Sequence, residues 1–533
     1  MTAAQSLVAF GYRLPAPFAQ RWQRLVSAPS DARTAIGVLS DLLEAEPRFV
    51  PARVRLAYAL LGSDRYRDAR MQAMLAGDAD SRDPEFVLQQ VMLLRRFEAI
   101  ESIDRLLGQL EPSRCPSALL VRMASELGPI GLYAQAQRML DAAASAVPLP
   151  PHGLALRGTV QMAAGDTVAA TRSFEAALSG GQPLPHVSWL LSLLPAPETA
   201  IEARLASLQA ALAAADPEGV DAVYAGHGLH NVLHALGRHD EAWEALLCAH
   251  RARRRLEPYD RTAQQAIFEA LMATGAVPHD VGEPAGGPGL VFIVGMHRSG
   301  TSVLERMLGA NGDVADGGES YVFAAAMRHA TDHAARSPLD LETVLRARDV
   351  DLAEAGEQFR QYARWRADGR RWFTEKLPSN FLHTVHILRA LPEVRILHMR
   401  RDPMDTCFSN LRTLFLGAAP YAADQHDLAD YYRRYQALMA RWHAIAPGRI
   451  LDVDYDQLVA EPERVMRGIC RFCGIDFREA MLSPDASGGH VATASLGSVR
   501  KGLLRGRGGQ WKAYARHLEP LRDALGATAV GEG

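Results

Sequence analysis

Residues 289 to 310, GLVFIVGMHRSGTSVLERMLGA, constrain the fold more than any other stretch of the chain. The run Leu290 to Val294 is short, wholly apolar and rich in β-branched residues, which suits a strand covered on both faces. Gly295 and Gly300 then bracket a loop, and a helical pattern begins near Gly300. A strand that runs through a Gly-bounded loop into a helix opens an α/β unit and aims backbone N–H groups at one point. Arg298 and the hydroxyls of Ser299, Thr301 and Ser302 gather at the same point, a donor set that suits a tetrahedral anion. The outer spacing is that of a Walker A loop. Thr301, however, stands where a nucleotide triphosphatase needs its lysine, and no acidic magnesium residue follows a later apolar strand, so a P-loop kinase or NTPase is disfavoured.

The rest of the C-terminal half agrees with an α/β sheet. Val394 to Met399 and Ile450 to Val453 are further short apolar runs, each followed by a loop and an amphipathic helix, which predicts a doubly wound parallel sheet. Upstream, the chain is rich in Ala, Leu and Arg with apolar residues at helical spacing, and reads as all helix. Ala124, Gly131, Ala136, Leu140, Ala143 and Pro148 recur 34 residues later as Gly158, Gly165, Ala170, Phe174, Ala177 and, one place late, Pro183. That register resembles the tetratricopeptide (TPR) repeat, with weaker copies around Ala57, Ala69 and Ala76 and around Gly237, Ala242, Leu246 and Ala249. A plain Ala-rich helical bundle is the competing account. The phrase VGEPAGGPGL, residues 281 to 290, punctuates the change of pattern. The expected organisation is a TPR-like α-solenoid over 1–280, a linker at 281–289, and a P-loop-like α/β domain over 290–533.

Composition narrows the function. A net charge of -3 over 533 residues gives no global attraction to nucleic acid or anionic membrane, so any anion site is local. Five scattered cysteines provide no disulfide framework, and the Cys470–Cys473 pair lacks the second pair that a zinc site needs. With no basic leader and no long apolar span, the expectation is a cytoplasmic protein that binds neither membrane nor metal.

The motif RSGTS after an apolar strand resembles the 5′-phosphosulfate loop of sulfotransferases that use 3′-phosphoadenosine 5′-phosphosulfate (PAPS). In RILHMRRDPMDTCFSNLR, Arg401 and, eight residues on, Ser409 are similar to that family's ligands for the 3′-phosphate, and Arg412 is a third candidate. A surface ion pair between Arg401 and Asp402 is the alternative. GGESY, FTEKLPSN and LDVDYDQLVAEPERVMRGICRFCGIDF extend the likeness, over roughly residues 290 to 515, toward tyrosylprotein sulfotransferases and their bacterial relatives. The resemblance implies Glu319 as catalytic base, Lys376 and Arg298 as cations on the transferring sulfuryl group, and Tyr455 and Ser495 beside the nucleotide. Taken alone, Glu319 reads equally as a solvated loop carboxylate, Lys376 as a surface lysine and Tyr455 as a packing residue. The chain departs from the pattern at His297 and at Gln510, where relatives carry a base; Arg500, Lys501, Arg505 and Arg507 are candidates to compensate.

The expected activity is sulfuryl transfer from PAPS to an acceptor hydroxyl, without a metal. Tyrosine in a protein or peptide held by the TPR array is the first acceptor to consider, with a small-molecule, lipid or glycan hydroxyl as alternatives. A TPR adaptor carrying a non-catalytic domain is the contrasting reading, and an oligomer is compatible with either.

Overall fold

The computed structural model describes residues 7–27, 31–81, 83–181, 183–275, 277, 286–483 and 508–529. Two compact units emerge, each assembled from two stretches of chain: Met1–Leu149 with Ser320–Trp365, and Pro150–Glu319 with Arg366–Gly533. Residues 281–285 of the expected linker lie outside the described residues, as do Ser495, Arg500, Lys501, Arg505 and Arg507.

The first unit opens with a correction to the all-helix expectation. Leu7–Ala9 (β1) and Tyr12–Leu14 (β2) form an antiparallel hairpin. Phe10 and Gly11 both take positive φ, 52° and 81°, as a two-residue primed turn requires. The hairpin packs on the helix Pro84–Arg95, where Phe10 and Tyr12 meet the Phe86 ring at 5.1 and 5.5 Å. Three-residue strands are too short to show an alternation, so periodicity missed them. The inserted stretch Ser320–Trp365 joins this unit through fixed polar contacts. Arg67 donates from its backbone N–H to Asp332 Oδ1 (2.9 Å) and from Nε to the His329 carbonyl (2.8 Å), while Asp64 Oδ1 lies 2.8 Å from His333 Nδ1.

The 34-residue register appears as helical hairpins. Ser117–Leu127 and Tyr133–Ala146 are separated by Gly131 at φ 77°, and Ala136, Leu140 and Ala143 are fully buried. The equivalent hairpin in the second unit is Pro151–Ala164 with Thr167–Leu178, capped by Gly165 at φ 81°. A Cβ on Gly158 would lie 2.5 Å from the Phe174 ring, so the small residue exists to admit the large one across the hairpin. Cys470 and Cys473 are buried thiols of the helix Pro462–Cys473.

The second unit contains a five-stranded, all-parallel sheet. Its strands are Gly289–Gly295 (β3), Val314–Asp316 (β4), Trp372–Glu375 (β5), Arg395–Arg400 (β6) and Ile450–Asp454 (β7), in the order β4-β5-β3-β6-β7. From the central β3 the chain goes out to the β4 edge, returns through β5, and crosses to β6 and β7 on the other side, so the strand order reverses at β3. In open α/β sheets ligands bind at that switch point, beyond the carboxyl ends of the strands. β4 and β5 escaped sequence reading because VAD and WFTE are too short for periodicity. Among the described residues no helix is long and apolar enough to cross a membrane.

Candidate active site

The loop after β3 is shaped by glycines that no other residue can replace. Gly295 has φ 154° and presses on β6: a Cβ there would lie 2.6 Å from the Met399 carbonyl. Gly300 has φ 107° and caps the helix Thr301–Gly309; its Cβ would lie 2.4 Å from the Tyr455 ring. Between them Arg298 takes the left-handed conformation at φ 69°, a strained state for a residue with a side chain. Ser299 is 1% exposed and its Oγ has no hydrogen-bond partner among the described residues. A buried, unsatisfied hydroxyl at a helix N-terminus costs about 1–3 kcal/mol until a ligand pairs with it, which fits this loop to an anion such as phosphate or sulfate. Thr301 and Ser302 are buried in the first turn of the same helix.

Helix Pro403–Leu411, which follows β6, brings a second set of groups to the loop. Its N-cap Asp402 accepts from the Asp405 N–H at 2.8 Å, which gives Asp402 a capping role beyond any ion pair with Arg401. Ser409 Oγ accepts from Arg298 Nε at 3.0 Å, and Asn410 Nδ2 donates to the His297 carbonyl at 2.7 Å. Arg401 Nη1 lies 3.5 Å from the Arg298 carbonyl, and its guanidinium stacks over the Tyr455 ring at 5.0 Å. Thus Arg298, Arg401, Ser409 and Tyr455 adjoin one another at the sheet edge. Arg412, one turn beyond Ser409, donates from Nη1 to His234 Nε2 (3.0 Å) and to Gln510 Oε1 (3.2 Å). Gln510, the departure noted in the sequence, is therefore a partner of a candidate ligand.

An ion pair with a buried ammonium lies at the end of β5. Lys376 is fully buried and its Nζ donates to Glu319 Oε1 at 2.6 Å. Lys376 is therefore not the ordinary surface lysine it resembled in isolation, whereas Glu319 stays exposed on its loop and is held by this ion pair. Burial opposes the Lys376 charge, but the Glu319 and Glu305 carboxylates outweigh it and hold its pKa above the usual lysine value. The segment bearing Glu319 is fixed to β5, with Gly317 N–H donating to the Thr374 carbonyl and Lys376 N–H to the Gly318 carbonyl, both at 2.9 Å. His297 links this group to the loop. Burial, opposed by Glu319 and reinforced by Lys376 and Arg298, pushes its pKa down to about 4, and its Nδ1 lies 3.1 Å from the Tyr421 hydroxyl. A neutral imidazole therefore lies within reach of all three charges.

Glu305 was missed by sequence reasoning. It lies in the helix Thr301–Gly309, 4% exposed, with Oε1 accepting from Gly318 N–H at 3.0 Å and Oε2 3.9 Å from Lys376 Nζ. Burial first, then Asp316, raises its pKa well above the carboxylate range, despite the opposing Lys376 charge. A signal existed: Thr301, Leu304, Glu305 and Leu308 share the buried stripe of this helix, so a carboxylate occupies an apolar position.

Among the described residues one grouping, His398, His443 and Asp452, has metal-ligand atoms close together. It is closed on itself by hydrogen bonds: His398 Nδ1 and His443 Nε2 each lie 2.7 Å from Asp452 Oδ1, and His398 Nε2 pairs with the Tyr435 hydroxyl.

The arrangement can bind an anion on loop N–H groups and arginines, and it sets a carboxylate and an ammonium beside that anion. Comparison with known proteins gives this a context. Residues 288–479 match the model of the sulfotransferase family. The chain is 28% identical over 315 residues to an uncharacterized protein of Aquifex aeolicus (strain VF5), covering 56% of this chain and 41% of that one. It is 26% identical over 216 residues to protein-tyrosine sulfotransferase 2 of Gallus gallus, covering 40% and 58%, and 26% identical over 215 residues to protein-tyrosine sulfotransferase 1 of Danio rerio, covering 40% and 60%. The chain therefore spans about two fifths to three fifths of the length of these relatives. A solved sulfotransferase domain from the curacin biosynthetic pathway aligns at 15% identity over 43% of this chain and 97% of its own, with a TM-score of 0.27.

Proposed function

We propose that this chain transfers a sulfuryl group from PAPS to an acceptor hydroxyl, a reading supported by the match of residues 288–479 to the sulfotransferase family model. The observation that carries the proposal is the pair of buried Lys376 and exposed Glu319, 2.6 Å apart, beside a loop whose Ser299 hydroxyl has no hydrogen-bond partner among the described residues. PAPS would supply the activated sulfuryl group, its S–O bond to the 5′-phosphate breaking to leave adenosine 3′,5′-bisphosphate and a sulfate ester.

In this reading the protein's residues divide the work by charge. Arg298, Ser299, Gly300, Thr301 and Ser302 hold the 5′-phosphosulfate end through guanidinium, hydroxyls and helix N–H groups. Arg401, Ser409 and Arg412 hold the 3′-phosphate, and Tyr455 packs beside the nucleotide. Glu319 takes the proton of the acceptor hydroxyl, a contribution of about 10²- to 10⁴-fold. Lys376, kept protonated by its carboxylate neighbours, and Arg298 stabilise negative charge that grows on the leaving oxygen; such stabilisation is stronger in the transition state than in the ground state.

Tyrosine in a protein or peptide is the acceptor we favour. The names of the chicken and zebrafish relatives support it, and the helical hairpins offer a surface for an extended peptide. The test is calorimetric titration with adenosine 3′,5′-bisphosphate, ATP and adenosine 5′-monophosphate, followed by transfer from radiolabelled PAPS to tyrosine peptides and to small phenols. Selective binding of the bisphosphate, weakened in Arg401→Ala, supports the donor assignment. Binding of ATP alone, or of none of the three, refutes it.

A further inference from the structure

The last helical hairpin before the sheet, Val220–Ala235 with His239–Leu256, is bonded within the second unit to the chain that follows Ser409. His250 Nε2 lies 3.0 Å from the Leu411 carbonyl. The buried Arg253 donates from Nη2 to the carbonyls of Phe415 (2.5 Å) and Ala419 (2.8 Å). These bonds fix the backbone on both sides of Arg412.

His234 acts on the Arg412 side chain itself. A guanidinium only donates, so His234 Nε2, 3.0 Å from Arg412 Nη1, must be the lone-pair nitrogen. The proton then sits on Nδ1 and is donated to the Tyr514 hydroxyl at 2.9 Å. Burial and then the Arg412 charge push the His234 pKa down to about 3, so the imidazole stays neutral. Gln510 Oε1 accepts from the same Nη1 at 3.2 Å. Both acceptors are uncharged. They fix the guanidinium without cancelling its charge, whereas a carboxylate in either place would hold the arginine but neutralise it.

We infer that His234 is a positioning residue through which the terminal helical hairpin presents Arg412 to the 3′-phosphate of the nucleotide. The hairpin is on this account a wall of the donor site rather than a separable adaptor. The inference rests on the donor reading above.

The experiment uses the full chain and compares affinities for adenosine 3′,5′-bisphosphate and adenosine 5′-monophosphate. Their ratio isolates recognition of the 3′-phosphate, and a general loss of packing would not change it selectively. Arg412→Ala should reduce the ratio about 10- to 100-fold, the range of a lost charge-assisted contact. His234→Ala should reduce it about 3- to 10-fold with monophosphate binding unchanged, and His234→Gln, whose carbonyl can accept from Nη1, should restore most of it. A His234→Ala protein that keeps the full ratio overturns the inference, as does an Arg412→Ala protein that keeps it. If the alanine variant lacks a cooperative melt, Tyr514→Phe, which removes the acceptor of the Nδ1 proton, decides on the same criterion. A wild-type protein with no preference for the bisphosphate overturns the donor reading, and the inference falls with it.

Discussion

Replacing Glu305 by glutamine should stabilise the protein, and the gain should grow with pH. In the fold Glu305 is 4% exposed and its pKa is raised by burial first and then by Asp316. Between its unfolded value of about 4.3 and its folded value, the native state holds a proton that the unfolded state has released. Stability contributed by this group is therefore lost as pH rises through that window, at about 1.4 kcal/mol per pH unit. Glutamine copies the neutral acid and its carbonyl accepts from Gly318 N–H, so the slope disappears. In a domain of this size the melting-temperature gap between variant and wild type should widen by roughly 2–3 °C per pH unit. Scanning calorimetry of both proteins between pH 5 and 7.5 reads the gap directly. Glu305→Ala, which loses the Gly318 contact, should instead melt lower at every pH. A gap between Glu305→Gln and wild type that is flat, or narrows with pH, would show that Glu305 is charged in the fold and refute the reasoning.

Other outcomes follow from the same geometry. Glu319→Gln should lower the rate of sulfuryl transfer by about 10²- to 10⁴-fold while adenosine 3′,5′-bisphosphate still binds, as steady-state kinetics and calorimetry would establish together. Gly158→Ala should cost about 1–3 kcal/mol, because its Cβ would lie 2.5 Å from the fully buried Phe174 ring; a melting temperature equal to wild type would contradict that packing. Asp452 is held well below the usual carboxylate range: burial raises its pKa, but hydrogen bonds from His398 and His443 outweigh it. Its stabilisation is present above about pH 4 and lost as pH falls, so Asp452→Asn should flatten the acid limb of the stability profile, by about 1 kcal/mol after solvent screening.

Much of the fold and site was legible because it is encoded locally. Leu290 to Val294, Gly295 and Gly300 declare strand, loop and helix within a dozen residues, and a Cβ would meet the Met399 carbonyl at Gly295 and the Tyr455 ring at Gly300. The 34-residue register likewise lies in small residues that face large ones inside a single hairpin, as with Gly158 and Phe174. Arg298, Arg401 and Ser409 were singled out beside legible strand ends, whereas Glu319 and Lys376 follow strands too short to read and were named through the family resemblance. What the tertiary structure decided is how residues far apart in sequence condition one another. Lys376 and Glu319 are 57 positions apart and His234 and Arg412 178 apart. In the sequence Lys376 is an ordinary lysine, Glu305 an ordinary helix glutamate and His234 one of 18 histidines. The balance of burial and charged neighbours raises the pKa of Lys376 and of Glu305 and lowers that of His234, because the energy of a charge depends on the solvent and partners that only the assembled fold supplies.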